Sequence, residues 1–198
     1  MSVKENCPYQ RVEYLESDGY SNCMTDLEYI PQRRITDIYI GLMILGYKEG
    51  SYNILLGTFP NNPNQELSTW NIQRYGASDN TISVRCGGRY GSGTSIYCPK
   101  DIKHDIIMRR DFNFIVDGQE TLCNQSANYD AIDTFKLFIG NSTMQRLYYL
   151  KIVNGDDVVL DLVPVRVGDE GFMYDRVSGK LFGNAGTGRF ILGPDINS

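Results

Sequence analysis

Side-chain alternation constrains this chain more than any other feature. In ITDIYIGLMIL, residues 35–45, the even positions Ile38, Ile40, Leu42 and Ile44 are aliphatic, while the odd ones include Asp37, Tyr39 and Gly41. Successive residues of an extended strand point to opposite faces, so this stretch has one apolar face and one mixed face. The pattern recurs. TISVRC sets Ile82, Val84 and Cys86 against Thr81, Ser83 and Arg85, and DFNFIVDG brings Phe112, Phe114 and Val116 together. FKLFIG places Phe135, Leu137 and Ile139 on one side. No long segment carries a helical period. The 20 glycines and 14 tyrosines favour turns and strands over helices.

The turn signals agree. Asn154-Gly155 and Asp117-Gly118 each sit between apolar runs, and both pairs tolerate the positive φ of a type I′ hairpin turn. Ser178-Gly179 in MYDRVSGKLFG offers a third hairpin. Hairpins mean antiparallel neighbours, and about ten short strands bury their apolar faces most simply as two stacked sheets. PNNPNQEL (60–67) and GGRYGSGTS (87–95) read as exposed loops. Neither a linker nor an internal repeat divides the chain, so residues 1–198 are expected to form a single all-β domain.

Composition narrows the function classes. Hydrophobic residues make up 41% and charged ones 22%, a globular balance. A net charge of −5 argues against phosphate-driven nucleic-acid binding. The pairs Arg33-Arg34 and Arg109-Arg110 read as solvated faces. MSVKENCPYQRVEYLESDG holds no apolar leader and the run 38–45 is too short to cross a bilayer, so no membrane insertion is expected. The expected location is the cytosol or a virus particle. Cys7, Cys23, Cys86, Cys98 and Cys123 show no CxxC spacing and His104 is the only histidine, so zinc is not expected and all five thiols are read as reduced.

LFGNAGTGRFILG, residues 181–193, raises the question of a phosphate-cradling loop. Its glycines, Gly183, Gly186 and Gly188, fall at first, fourth and sixth positions, where a dinucleotide fingerprint needs first, third and sixth. The P-loop spacing holds between Gly183 and Gly188, but Arg189-Phe190 stands where Lys and Ser or Thr are required. A phosphate loop also needs a helix behind it, and RFILGPDINS leaves no room for one. The glycines therefore read as a turn between the KLF and RFIL strands.

LVPVRVGDEGFMYDRVSGKLFGNAGTGRFILGPD, residues 162–195, resembles the closing segment of concanavalin A-like, laminin-G-like jelly-roll modules of gut bacteria and their phages. YLESDG (14–19) is similar to the start of the same family, though of the Asp-Thr-Gly that usually follows only Thr25 clearly matches. LFIGN (137–141) and LYYLKIVNGD (147–156) fit the family in order and spacing. The resemblance implies a jelly-roll β-sandwich of two antiparallel sheets. It also implies relatives that often bind carbohydrate, sometimes with calcium, and some that hydrolyse glycans.

Glycan hydrolysis needs two carboxylates across the scissile bond. Hydrolases of this fold typically carry them as Glu-x-Asp-x-x-Glu, and the nearest match here, Glu16-Ser17-Asp18-Gly19-Tyr20-Ser21, ends in Ser. No catalytic residue is assigned. His104 in KHDIIM shares a face with Ile106 and Met108, which suggests a structural role, and no GxSxG accompanies it. No cofactor is expected. Calcium would draw on Asp130 and Asp133, or on Asp156 and Asp157, but neither pair follows a calcium-loop pattern and both read as solvated acids.

Binding is the more natural role. Sugars stack their CH faces on aromatic rings while amides and charges meet their hydroxyls. TWNIQRYG offers Trp70, Gln73, Arg74 and Tyr75, and GGRYGSG adds Arg89 and Tyr90. If 69–75 and 80–86 pair as a hairpin, the candidate glycan contacts Trp70, Gln73, Tyr75, Arg89 and Tyr90 gather near one edge. Against this, Trp70 alternates with Ile72, so a core role is open too. The expected function is a non-catalytic surface-binding or structural module of a phage virion, from tail, fibre or capsid surface. Its expected partners are a glycan or other virion proteins, including copies of itself. The alternatives are a glycan hydrolase of the same fold and a bacterial carbohydrate-binding or interaction module.

Overall fold

A computed structural model describes residues 7–19, 25–32, 34–47, 53–58, 69–74, 80–88, 94–111, 113–122, 134–138 and 143–196. These residues form strands and no helix. The first half holds β1 (Gln10–Arg11), β2 (Leu15–Asp18), β3 (Thr25–Asp26), β4 (Thr36–Tyr47), β5 (Asn53–Gly57), β6 (Thr69–Arg74), β7 (Thr81–Gly88) and β8 (Thr94–Tyr97). The second holds β9 (Lys103–Met108), β10 (Asn113–Val116), β11 (Gln119–Leu122), β12 (Lys136–Leu137), β13 (Thr143–Asn154), β14 (Asp157–Val167), β15 (Glu170–Asp175), β16 (Leu181–Phe182) and β17 (Ile191–Leu192). Every pairing is antiparallel.

They make two sheets. The larger has eleven strands in the order β11-β10-β9-β4-β13-β14-β15-β16, with β1 on β14 and β2 joining β13 to β17. The smaller has six, β3-β12-β5-β6-β7-β8. Alternation explains how they stack. Ile38, Ile40, Leu42 and Ile44 of β4, with Leu147, Leu150 and Ile152 of β13, join one buried core with Trp70 and Ile72 of β6 and Val84 of β7. A polar tie crosses that core, where the Gln145 side-chain amide donates to the Leu55 carbonyl at 2.9 Å. The result is a β-sandwich, as alternation and turns predicted.

The hairpins refine the turn reading. Asp117 and Gly118 both have positive φ, 51° and 81°, as a type I′ turn requires. At the β13–β14 turn the pairing is Asn154 with Asp157, so Gly155 and Asp156 are the central residues. Only Gly155 has positive φ, 61°, which is the type II′ pattern rather than the expected type I′ turn on Asn154-Gly155. Asn154 is needed elsewhere: its side-chain oxygen accepts from the Tyr29 hydroxyl at 2.6 Å and the Thr36 hydroxyl at 2.9 Å. Around Ser178-Gly179 the hairpin is wider, closed by the Asp175 amide on the Lys180 carbonyl. The buried Asp175 carboxylate braces it, accepting from the amides of Asp161, Val177 and Ser178 and from the Ser178 hydroxyl.

Three further readings are refined. The FKLFIG strand ends at Leu137, because Phe138 turns the chain with a φ of 53°; Phe135 and Leu137 are buried as expected, while Ile139 and Phe112 lie outside the described residues. Arg109 is exposed as expected, while Arg110, 35% exposed, is also tied down: its guanidinium donates to Asp37 at 2.6 and 2.9 Å and to the Gly155 carbonyl. The glycine-rich segment does connect the KLF and RFIL strands, but these are not partners, since β16 pairs with β15 and β17 pairs with β2. Its far end brings the two ends of the described chain together. Glu13 donates to the Pro194 carbonyl at 2.9 Å, Gly193 to Tyr14 at 3.0 Å, and Ile196 to Arg11 at 3.0 Å.

Candidate functional site

Of the predicted glycan contacts, two can be placed with their side chains. Trp70 is fully buried in the inter-sheet core and Gln73 is 1% exposed. A stacking platform needs an open ring face, so neither serves as a sugar contact. The cause is their strand: all five residues 70–74 of β6 are buried, which leaves neither of its faces open to solvent. Tyr75, Arg89 and Tyr90 lie outside the described residues, as do Asp130 and Asp133. Asp156 and Asp157 are exposed, and among the described residues no three His, Cys, Asp or Glu side chains are grouped as for a metal ion.

His104 is 3% exposed, on one face with the buried Ile106 and Met108. Its Nδ1 lies 2.6 Å from an Asp117 carboxylate oxygen and its Nε2 lies 2.9 Å from the Pro99 carbonyl, so both ring nitrogens face acceptors. Both ring nitrogens are thus engaged by protein oxygens, which ties the end of β9 to the Asp117 turn. Cys7 and Cys98 are free thiols; Cys23 and Cys123 lie outside the described residues, as does the side chain of Cys86.

The surface that gathers binding chemistry is the outer face of the larger sheet. While the even residues of β4 point inward, Tyr39 and Met43 point out. On β13 the alternation is interrupted. Leu147 pairs with Leu42 and Tyr149 with Gly41, so Tyr148 is an extra residue with no partner of its own. This β-bulge puts two consecutive tyrosines on the outer face and lets Leu150 resume the inner one. Gly41 makes room for them: a Cβ there would lie 2.5 Å from Cε1 of Tyr149 and 3.2 Å from Cβ of Tyr148.

Charged groups hold the rings in place. Opposite Arg146 on the neighbouring strand stands Glu16, and the guanidinium Nε donates to its carboxylate at 2.6 Å. The same guanidinium lies 4.3 Å from the centre of the Tyr14 ring, which meets Tyr148 edge-on at 5.5 Å. Lys103 Nζ sits 4.8 Å from the centre of the Tyr148 ring and Lys151 Nζ 6.0 Å from that of Tyr39. Tyr149 donates its hydroxyl to Asp105 at 3.0 Å. The result is a half-buried tyrosine patch, Tyr14, Tyr39, Tyr148 and Tyr149, braced by cations and acids.

Burial pushes the Tyr148 hydroxyl above its ordinary value, with Arg146 opposing. Burial also raises that of Tyr149, and the Asp105 carboxylate adds to the rise. The hydrogen bond to Glu16 raises Arg146 in turn. Both phenols therefore stay neutral donors and Arg146 stays charged across the physiological range. Glu16, half of the nearest match to a hydrolase motif, is engaged by Arg146. Such a face can stack and hydrogen-bond a ligand without titrating. The signal was present in LYYLK, where two adjacent tyrosines interrupt an alternating strand.

Scanned against models of known protein families the chain matches none, and no curated protein matches it.

Proposed function

We propose that the chain is a non-catalytic binding module, and that its ligand is a glycan lying along the tyrosine face of the larger sheet. The observation that carries this reading is the bulge at Tyr148-Tyr149. It departs from strand alternation and fills the space over Gly41, and its effect is to present a second ring outward. Tyrosine rings offer stacking area for sugar CH faces, and Arg146, Glu16, Asp105 and the phenol hydroxyls offer donors and acceptors around them. The resemblance to jelly-roll modules of phages supports placing the module on a virion, where the glycan belongs to a host surface or the face packs on another virion protein.

A glycan array on the wild type and on Tyr148→Ala and Tyr14→Ala tests the reading. Binding that falls tenfold or more in both variants supports it. Binding unchanged in both, or no glycan bound at all, removes it; stable self-association in the latter case favours an assembly role.

A further inference from the structure

The glycine-rich segment forms a wall. Between it and β15 lies a cavity of about 290 Å³, lined among others by Glu170, Phe172, Asn184, Thr187, Arg189 and Phe190. The wall is braced by its own side chain: the Asn184 side-chain oxygen accepts from the Gly186 amide at 2.8 Å, while its amide nitrogen donates to the carbonyls of Gly186 and Gly188. A cavity whose loop is already tied down costs little ordering on binding. Its volume lies just below the roughly 300–1,000 Å³ typical of pockets for drug-sized ligands, which suits a small ligand.

Its polar groups are uncommitted. Glu170, Thr187 and Arg189 are exposed, and none of their side chains makes a hydrogen bond or ion pair within the described residues. A carboxylate acceptor and a guanidinium donor thus line one cavity together with Phe172, whose ring lies against Gly183. A ligand that satisfies both without carrying charge must itself donate and accept at neighbouring positions. Vicinal hydroxyls do both, and a pyranose adds a CH face for the aromatic floor.

We propose that this cavity is a second binding site, taking a single neutral hexose ring end-on. The inference shares its ligand class with the reading above but not its surface, so the two fail separately. The test is titration of the 15N-labelled protein with methyl glucoside, galactoside and mannoside and with N-acetylglucosamine, beside glycine and glutamate as zwitterionic and acidic controls. We expect the amides of residues 184–189 to shift with at least one hexoside. The apparent Kd should rise tenfold or more in Arg189→Ala and in Glu170→Gln, and Thr187→Trp should block the mouth. Tyr148→Ala should leave this titration unchanged while abolishing shifts at the tyrosine face. The proposal is overturned if no hexoside moves those amides, or if the amino acids move them and the hexosides do not. Shifts that persist undiminished in all three loop variants, or that vanish in Tyr148→Ala, overturn it as well.

Discussion

Asp117 illustrates how much a single side chain can carry here. Burial pushes its carboxyl up, but hydrogen bonds from His104 and from the Asp105 amide, with the imidazole's charge, outweigh that and hold it below its ordinary value of 3.8. A carboxyl lowered in the folded state adds stability that is complete above the unfolded value and is lost as pH falls through the folded one. The loss should therefore appear below about pH 3.8, not near neutrality. Asp117→Asn keeps a residue that tolerates the positive φ but removes the charge. Urea midpoints for the variant should fall below the wild type at pH 7, with the gap narrowing as pH falls below 3.8, and a gap that does not change with pH would refute the assignment. The thiol of Cys98 is set the opposite way: burial, aided by the Asp117 charge and opposed by Arg74, pushes it up to about 12. Site-resolved alkylation at pH 8 should leave Cys98 unmodified in the folded protein and modify it in denaturant.

At the scale of elements the β13 bulge and the Asp175 turn matter most. Gly41→Ala would drive a methyl into the Tyr149 ring, which must swing away and release Asp105. Overpacking of this kind costs about 1–3 kcal/mol, and calorimetry should show it together with weakened ligand binding at that face. Asp175→Ala removes the acceptor for three backbone amides and a hydroxyl and should cost about 3 kcal/mol, read from the shift in denaturation midpoint at constant m-value. Elements were also where the sequence could be read best. Ile38, Ile40, Leu42 and Ile44 announce the inner face of β4 because alternation follows from backbone geometry alone. The hairpin at Asp117-Gly118 is legible for the same local reason. Asn154-Gly155 misleads by one position because the Asn154 side chain is held by Tyr29 and Thr36, partners 125 and 118 residues away in sequence. The tyrosine face was hidden in the same way. Tyr14 and Tyr148 are neighbours only because β2 pairs with β13, and Trp70 drew attention because a lone indole stands out in a sequence whether or not it is covered.

Among the described residues, seven of the fifteen strand pairings join strands that are not consecutive in the chain, as where β2 lies between β13 and β17. Closing such long loops before their contacts form is slow, so refolding followed by stopped-flow fluorescence should take milliseconds to seconds rather than microseconds. The seam where Arg11, Glu13 and Tyr14 meet Ile196, Pro194 and Gly193 has a mechanical consequence. The two ends of the described chain lie at neighbouring points, and the strands between them run in opposite directions. A tether pulled at the two ends therefore loads the seam's bonds one after another, as in opening a zip fastener, whereas handles attached to opposite ends of β4 would strain its whole ladder at once. Held at the two ends of the described chain, the sandwich should part first where β17 meets β2, its short two-residue pairing.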